Sequence, residues 1–145
     1  MKRREFIKDC GFICFGTIGG SLMLQGCASN YYALSTTENN KITIKKTEFV
    51  SIKKGKTENR KYILIKNETL QFPVILYKQN ENEYTALLMY CTHKGCELQP
   101  HGEYLICPCH GSEFSNKGKV QNPPADEDLK QYKTFTDHEN IYIQL

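Results

Sequence analysis

Cys91, His93, Cys96, Cys107, Cys109 and His110 fall within twenty residues of one another, and nothing else in the chain constrains its fold as much. They form two short runs, Cys91-Thr92-His93-Lys94-Gly95-Cys96 and Cys107-Pro108-Cys109-His110-Gly111-Ser112. Each run follows a strand-like stretch directly. Tyr84 to Tyr90 leads into the first, and Tyr104-Leu105-Ile106 into the second. Loops at strand ends are where a β scaffold presents sulfur and imidazole donors rigidly.

The rest of the chain fits such a scaffold. Ile42 and Ile44 alternate with polar neighbours, a period of two. Tyr62-Ile63-Leu64-Ile65, Phe72 to Tyr77, Tyr132 to Phe135 and Ile141-Tyr142-Ile143 are short runs rich in β-branched and aromatic residues. Turn signals separate them at Lys54-Gly55-Lys56, Asn80 to Glu83 and Asp137 to Asn140. No helix-period segment of useful length follows residue 30. The pattern predicts an all-β domain over 41–145, an antiparallel sandwich or small barrel with two ligand loops.

The N-terminus reads as an address. Lys2, Arg3, Arg4 and Lys8 precede an uncharged, Gly-rich run from Cys10 to Leu24, the layout of an export signal. Arg3-Arg4 followed by Glu5-Phe6-Ile7-Lys8 resembles a twin-arginine signal, whose pathway carries folded, cofactor-loaded proteins. Leu24-Gln25-Gly26-Cys27 resembles a bacterial lipobox, with Cys27 as the lipidation site and Gln25 as a departure. An uncleaved anchor is the rival. Cys10 to Gln25 would span only about 24 Å of helix, short of a hydrocarbon core of about 30 Å. The expected division is signal 1–26, flexible tether 27–40 and β domain 41–145. Stretched out, the polar segment from Ala28 to Asn40 would reach about 45 Å. The expected location is the periplasmic or envelope side of a membrane, with attachment through lipid on Cys27 or through an N-terminal anchor.

Charge excludes one class of partner. The net charge is +3, and two of those charges belong to the first twenty-six residues. The remainder is nearly neutral, without the basic face that a nucleic acid requires.

Two Cys and two His make a legitimate tetrahedral zinc set. Zinc sites usually leave two to four residues between paired ligands, whereas Cys91 and His93 enclose one. Zinc also gives no reason for Cys96, Cys109, Gly95, Gly111 and Ser112. The two runs resemble the two halves of the Rieske motif, C-T-H-x-G-C and C-P-C-H-G-S, at every defined position. The likeness is closest to high-potential Rieske proteins, the group that includes subunits of cytochrome bc complexes and the small subunit of arsenite oxidase.

The resemblance implies one 2Fe–2S cluster, with Cys91 and Cys107 on one iron and His93 and His110 on the outer iron. It implies a disulfide between Cys96 and Cys109, a pair that Rieske ferredoxins of ring-hydroxylating oxygenases generally lack. Such a bond survives in an exported domain. Two ferric ions, two sulfides and two thiolates sum to a neutral oxidised cluster, which raises its potential relative to a four-thiolate cluster; Rieske centres span about −150 to +300 mV. The resemblance also assigns surrounding roles. Ser112 donates a hydrogen bond to a bridging sulfide. Gly95 and Gly111 take backbone angles closed to larger residues. Asn122-Pro123-Pro124-Ala125 forms a proline loop over a third side, although its residue order departs from the family's usual Gly-Pro-x-Pro. Phe114 stands where the highest-potential members carry a Tyr that donates to a ligand thiolate, so a middling potential is expected. The stretch from Lys94 to Ile106 is shorter than in many cytochrome bc members.

The expected activity is one-electron transfer in a membrane-tethered redox protein, with a cytochrome or a molybdenum oxidoreductase as partner. The alternative is the Rieske subunit of a quinol-oxidising cytochrome bc-type complex, with quinol docking on His93 or His110. Nothing in the sequence resembles a substrate pocket or an acid/base pair, so catalysis by the isolated chain is not expected. His101 and His138 read as solvent-facing loop residues. Asn67-Glu68-Thr69 fits a glycosylation sequon, which the bacterial-looking address makes irrelevant.

Overall fold

The computed structural model describes residues 30–53 and 55–145. The twin-arginine pair, the lipobox and Cys27 lie outside the described residues. Thirteen strands are present among those described: β1 (Ser35–Glu38), β2 (Lys41–Lys45), β3 (Val50–Lys53), β4 (Lys56–Asn59), β5 (Tyr62–Ile65), β6 (Val74–Lys78), β7 (Tyr84–Leu88), β8 (Gln99–His101), β9 (Tyr104–Ile106), β10 (Glu113–Ser115), β11 (Val120–Asn122), β12 (Gln131–Thr136) and β13 (Asn140–Gln144). One 3₁₀ turn, Lys46–Phe49, joins β2 to β3. No helix among the described residues is long and apolar enough to cross a membrane.

Seven strands form one antiparallel sheet in the order β1-β2-β13-β12-β7-β6-β5. It curls until its edges meet through the chain ahead of β1. The Leu64 amide donates to the Tyr31 carbonyl at 3.0 Å, and the Ala33 amide donates to the Leu64 carbonyl at 2.8 Å. Residues 31–33 thus run along β5, while β1 pairs with β2 from Ser35 to Glu38. Tyr31 is clamped as well. Its hydroxyl donates to Glu48 Oε2 at 2.8 Å, and the Arg60 guanidinium lies 3.7 Å from its ring centroid. The flexible tether expected over 27–40 is therefore corrected for residues 31–38, which close the barrel. Ser35 to Glu38 are polar and mostly exposed, so their ordering comes from backbone pairing, which leaves no apolar alternation in the sequence; ahead of them Ala33 is buried and Tyr31 packs against the barrel core.

The depth of burial explains the differing strand patterns. In Lys41–Lys45 only Ile42 and Ile44 point inward, because β2 has one covered face. β5 and β6 are covered on both. Ile63, Ile65, Val74 and Leu76 join Ile42, Phe49, Ala86, Ile141 and Ile143 in the barrel core. Leu64, Ile75, Tyr77 and Leu87 point the other way, into a second core with Met89, Leu98, Leu105, Phe114 and Leu129. Continuous apolar runs are the mark of strands buried on both faces.

The second core separates the barrel from a four-stranded sheet, β11-β10-β9-β8, inserted between β7 and β12. β12 pairs with β7 only at Gln131 and Tyr132. Beyond that point the Thr134 hydroxyl supplies a bond to the Tyr84 carbonyl at 2.8 Å. All-β architecture, as expected from the sequence, holds throughout the described residues.

Candidate metal centre

The two Cys/His runs fold as copies of one backbone device. In the first, the Cys91 amide donates to the Cys96 carbonyl at 2.9 Å, and the Gly95 amide donates back to the Cys91 carbonyl at 2.8 Å. In the second, the Cys107 amide donates to the Ser112 carbonyl at 2.8 Å, and the Gly111 amide donates to the Cys107 carbonyl at 3.0 Å. The glycine at the same place in each has φ of +75° and +78°, a left-handed conformation that costs a side-chain-bearing residue free energy. Gly95 has a second reason. A Cβ there would sit 3.0 Å from the Tyr90 ring.

Cys91 and Cys107 are fully buried at the inner ends of these loops, and their side chains are within hydrogen-bonding contact. Burial pushes the Cys91 thiol up, and the contact with Cys107 acts in the same direction. The backbone amides of His93 and Lys94 donate toward the Cys91 sulfur and pull the other way. Two adjoining buried thiols resist ionisation unless a cation shares the site. His93 is half-buried and His110 exposed. Their rings meet edge to face with centroids 5.2 Å apart. The four side chains are thus layered, sulfurs inside and imidazoles outside.

Cys96 and Cys109 are bonded to each other, with Cα atoms 6.5 Å apart. Their sulfurs and that of Cys107 lie within 4.8 Å of one another. This trio is no donor set, because two of its sulfurs are spent in the bond. It shows how closely the disulfide covers a candidate ligand.

A third loop, residues 123–130, completes the enclosure. Ser112 is fully buried, and its Oγ accepts from the Ala125 amide at 3.0 Å. The hydroxyl hydrogen is left to point elsewhere, as donation to a cluster sulfide requires. Asn122 Nδ2 donates to the Gly111 carbonyl at 3.5 Å. Pro123 and Pro124, joined by a cis peptide bond, stand exposed beside this contact. The Thr92 hydroxyl donates to the Glu127 carbonyl at 2.7 Å. Every pair of loops is therefore fastened: first to second by the disulfide, second to third through Ser112 and Asn122, first to third through Thr92.

Thr92 carries no expected role, although Thr occupies a defined place in the motif. Its partner is a backbone carbonyl 35 residues away, which no local pattern announces. Phe114 is fully buried in the second core, so it packs beneath the loops, as a residue facing them from β10 should. His101 is exposed but closes strand β8 instead of lying in a loop, and His138 sits exposed in the β12–β13 turn. Asn67 is buried. Its Oδ1 accepts from the Thr69 amide at 2.8 Å, and its Nδ2 donates to Thr37 Oγ1 at 2.9 Å. The sequon is a structural turn.

Comparison with known proteins agrees with this geometry. The family model for the Rieske [2Fe-2S] domain matches residues 43–133. The chain is 33% identical over 63 residues to the cytochrome b6-f complex iron-sulfur subunit of Chlorobaculum tepidum, covering 42% of this chain and 35% of that protein. It is 38% identical over 55 residues to the ubiquinol-cytochrome c reductase iron-sulfur subunit of Rickettsia typhi, covering 36% and 31%. The chain thus spans about a third of the length of these relatives. Among solved structures, the cyanobacterial plasma membrane Rieske protein PetC3 from Synechocystis superposes with a TM-score of 0.52 and 31% identity, over 59% of this chain and 87% of that one. The chain belongs to the Rieske [2Fe-2S] domain family. Its cofactor is a 2Fe–2S cluster. The donor set described above fits the group: two adjoining buried sulfurs, two imidazoles meeting edge to face, and a buried hydroxyl on the second loop.

Proposed function

We propose that Cys91 and Cys107 hold the inner iron through thiolate sulfur and His93 and His110 the outer iron, in a lipid-anchored envelope protein that relays single electrons between redox partners. The observation that carries the ligand assignment is the layering, two adjoining buried thiols beneath two accessible imidazoles. When bound, the cluster supplies a one-electron couple. The residues around it set its conditions. The Ser112 hydroxyl and the loop amides stabilise added negative charge on sulfur. Leu98, Leu105, Phe114 and Leu129 form part of a core that keeps water from the inner side. The exposed His110 edge is the port through which a partner exchanges an electron.

The basic, apolar and Leu-Gln-Gly-Cys segments of the N-terminus support export and attachment at Cys27, on the periplasmic or envelope side. The partner is then a cytochrome or a molybdenum oxidoreductase reached at the membrane. A second reading, the Rieske subunit of a quinol-oxidising complex, is favoured by the likeness to the cytochrome-complex subunits named above.

Native protein purified from membranes without oxygen should contain iron and labile sulfide in equal amounts. The reduced form should give the paramagnetic resonance of a cluster with mixed nitrogen and sulfur ligation. His93→Ala and His110→Ala should each abolish it. Bound zinc, or no labile sulfide, would sink the ligand assignment. Copurification with a membrane cytochrome b would decide for the second reading, and a molybdenum oxidoreductase for the first.

A further inference from the structure

Aromatic side chains gather where the chain enters the barrel. Tyr32 is 46% exposed. It shares one shallow groove with Asn30, Tyr62, Pro100 and His101, and a second with Leu70, Phe72 and Pro73. Phe72 continues to Tyr90, with ring centroids 5.3 Å apart, and Tyr90 is 42% exposed. His101 continues to Tyr104 at 5.8 Å, and Tyr104 is 40% exposed. The charged residues lining the grooves are Lys66 and Glu97, while Lys61 and Glu103 pair with each other at 2.7 Å. Exposed aromatic patches of this kind mark interaction surfaces. Tyr in particular suits a boundary that is apolar on one side and wet on the other.

Where the preceding chain leaves the barrel decides the occupant. Asn30 lines the first groove, and the twenty-nine residues before it continue from there. Tyr31 is fixed by its backbone bond to Leu64, by Glu48 and by Arg60. Only Ala28, Ser29 and Asn30 separate it from Cys27, a reach of about 14 Å at most. We infer that this aromatic face rests on the lipid bilayer interface, so that the domain is held against the membrane with its first cluster loop at the rim of the contact. The inference rests on the lipid attachment at Cys27 proposed above. Tyr90 immediately precedes Cys91, and Glu97 immediately follows Cys96. The loop is therefore carried to the membrane surface by the same residues that form the face. A domain so held does not swing between distant partners. It serves partners that present their redox group at the bilayer surface.

The chain contains no Trp, so Tyr32→Trp creates a single reporter. Phe135→Trp is its counterpart. Phe135 is 58% exposed on β12, three strands from either edge of the sheet and so on the far side of the barrel. Mature lipidated protein is placed in phosphatidylcholine vesicles with and without bromine on the acyl chains. The Tyr32→Trp emission should be largely lost to the brominated lipid, and the Phe135→Trp emission kept. Equal responses from protein that stays bound would overturn the docking and leave the anchor standing. Protein that carbonate washes off, with no lipid on Cys27, would overturn both. A measurement on unaltered protein covers the case in which Tyr32→Trp misfolds. In oriented membrane layers, the resonance of the reduced cluster should change with the angle to the field. An angle-independent signal would overturn the fixed placement.

Discussion

At the residue scale, Ser112 has two duties on one oxygen. It accepts from the Ala125 amide and retains a hydrogen for a sulfide. Ser112→Ala removes both. It leaves a buried amide without a partner, which costs about 1–3 kcal/mol, and it lowers the reduction potential because reduced sulfur loses a donor. Urea titration and protein-film voltammetry read the two effects separately. An unchanged potential would mean that the hydroxyl does not face the cluster. Phe114 offers the converse. Phe114→Tyr adds a donor beneath the second loop, and the potential should rise; a constant or lower value would contradict the role assigned to that position. The clustered Cys and His runs were legible through their resemblance to the Rieske motif. Thr92 and Ala125 were not, since what they contribute is contact with a distant backbone.

At the element scale, legibility followed burial. β5, β6 and β7 announce themselves through apolar runs because both faces are covered. Lys56–Asn59 is exposed along its length and Ser35–Glu38 nearly so, so their pairing leaves no hydrophobic trace. The β12–β13 turn shows how a polar segment is fixed instead. Asp137 accepts from the amides of Glu139 and Asn140 at 2.9 and 2.7 Å, and from the Tyr142 hydroxyl at 2.6 Å. The Tyr142 bond first, then the two amides, hold its carboxyl well below the usual carboxylate range. A depressed folded value means stability that is fully present above the unfolded pKa, about 4, and is lost as pH falls through the folded one. Asp137→Ala should begin less stable at pH 7 and lose less than the wild type between pH 4 and pH 2. Parallel losses in urea titrations over that range would show that the turn carboxylate is not responsible. For the cluster loops, Cys96→Ser with Cys109→Ser opens a loop of sequence separation 13, and the unfolding free energy should drop by about 3 kcal/mol.

At the scale of the whole molecule, the barrel is closed by its own N-terminal segment, not by a strand from the predicted β pattern. Removing residues up to 38 would withdraw both Tyr31 from β5 and β1 from β2, exposing two sheet edges at once. A protein truncated there should melt at a lower temperature and self-associate. Arg60→Met, which strips the guanidinium from the Tyr31 ring and from the Glu48 and Val50 carbonyls, should show a milder form of the same defect by calorimetry and light scattering. The overall class was legible because period-two alternation survives wherever a single face is buried. The closure was not, since it depends on which two edges happen to meet.

The pairwise fastening of the three loops makes their arrangement a triangle, and a triangle with one side removed is still a connected chain. Severing the disulfide alone, or the Thr92 contact alone through Thr92→Val, leaves every loop tied to another. Severing both frees the first loop from its neighbours. The two losses should therefore compound, with iron retention in the doubly altered protein far below what the single alterations multiply to. In the interval before the bond between Cys96 and Cys109 forms, the threonine and the serine would hold the centre together unaided.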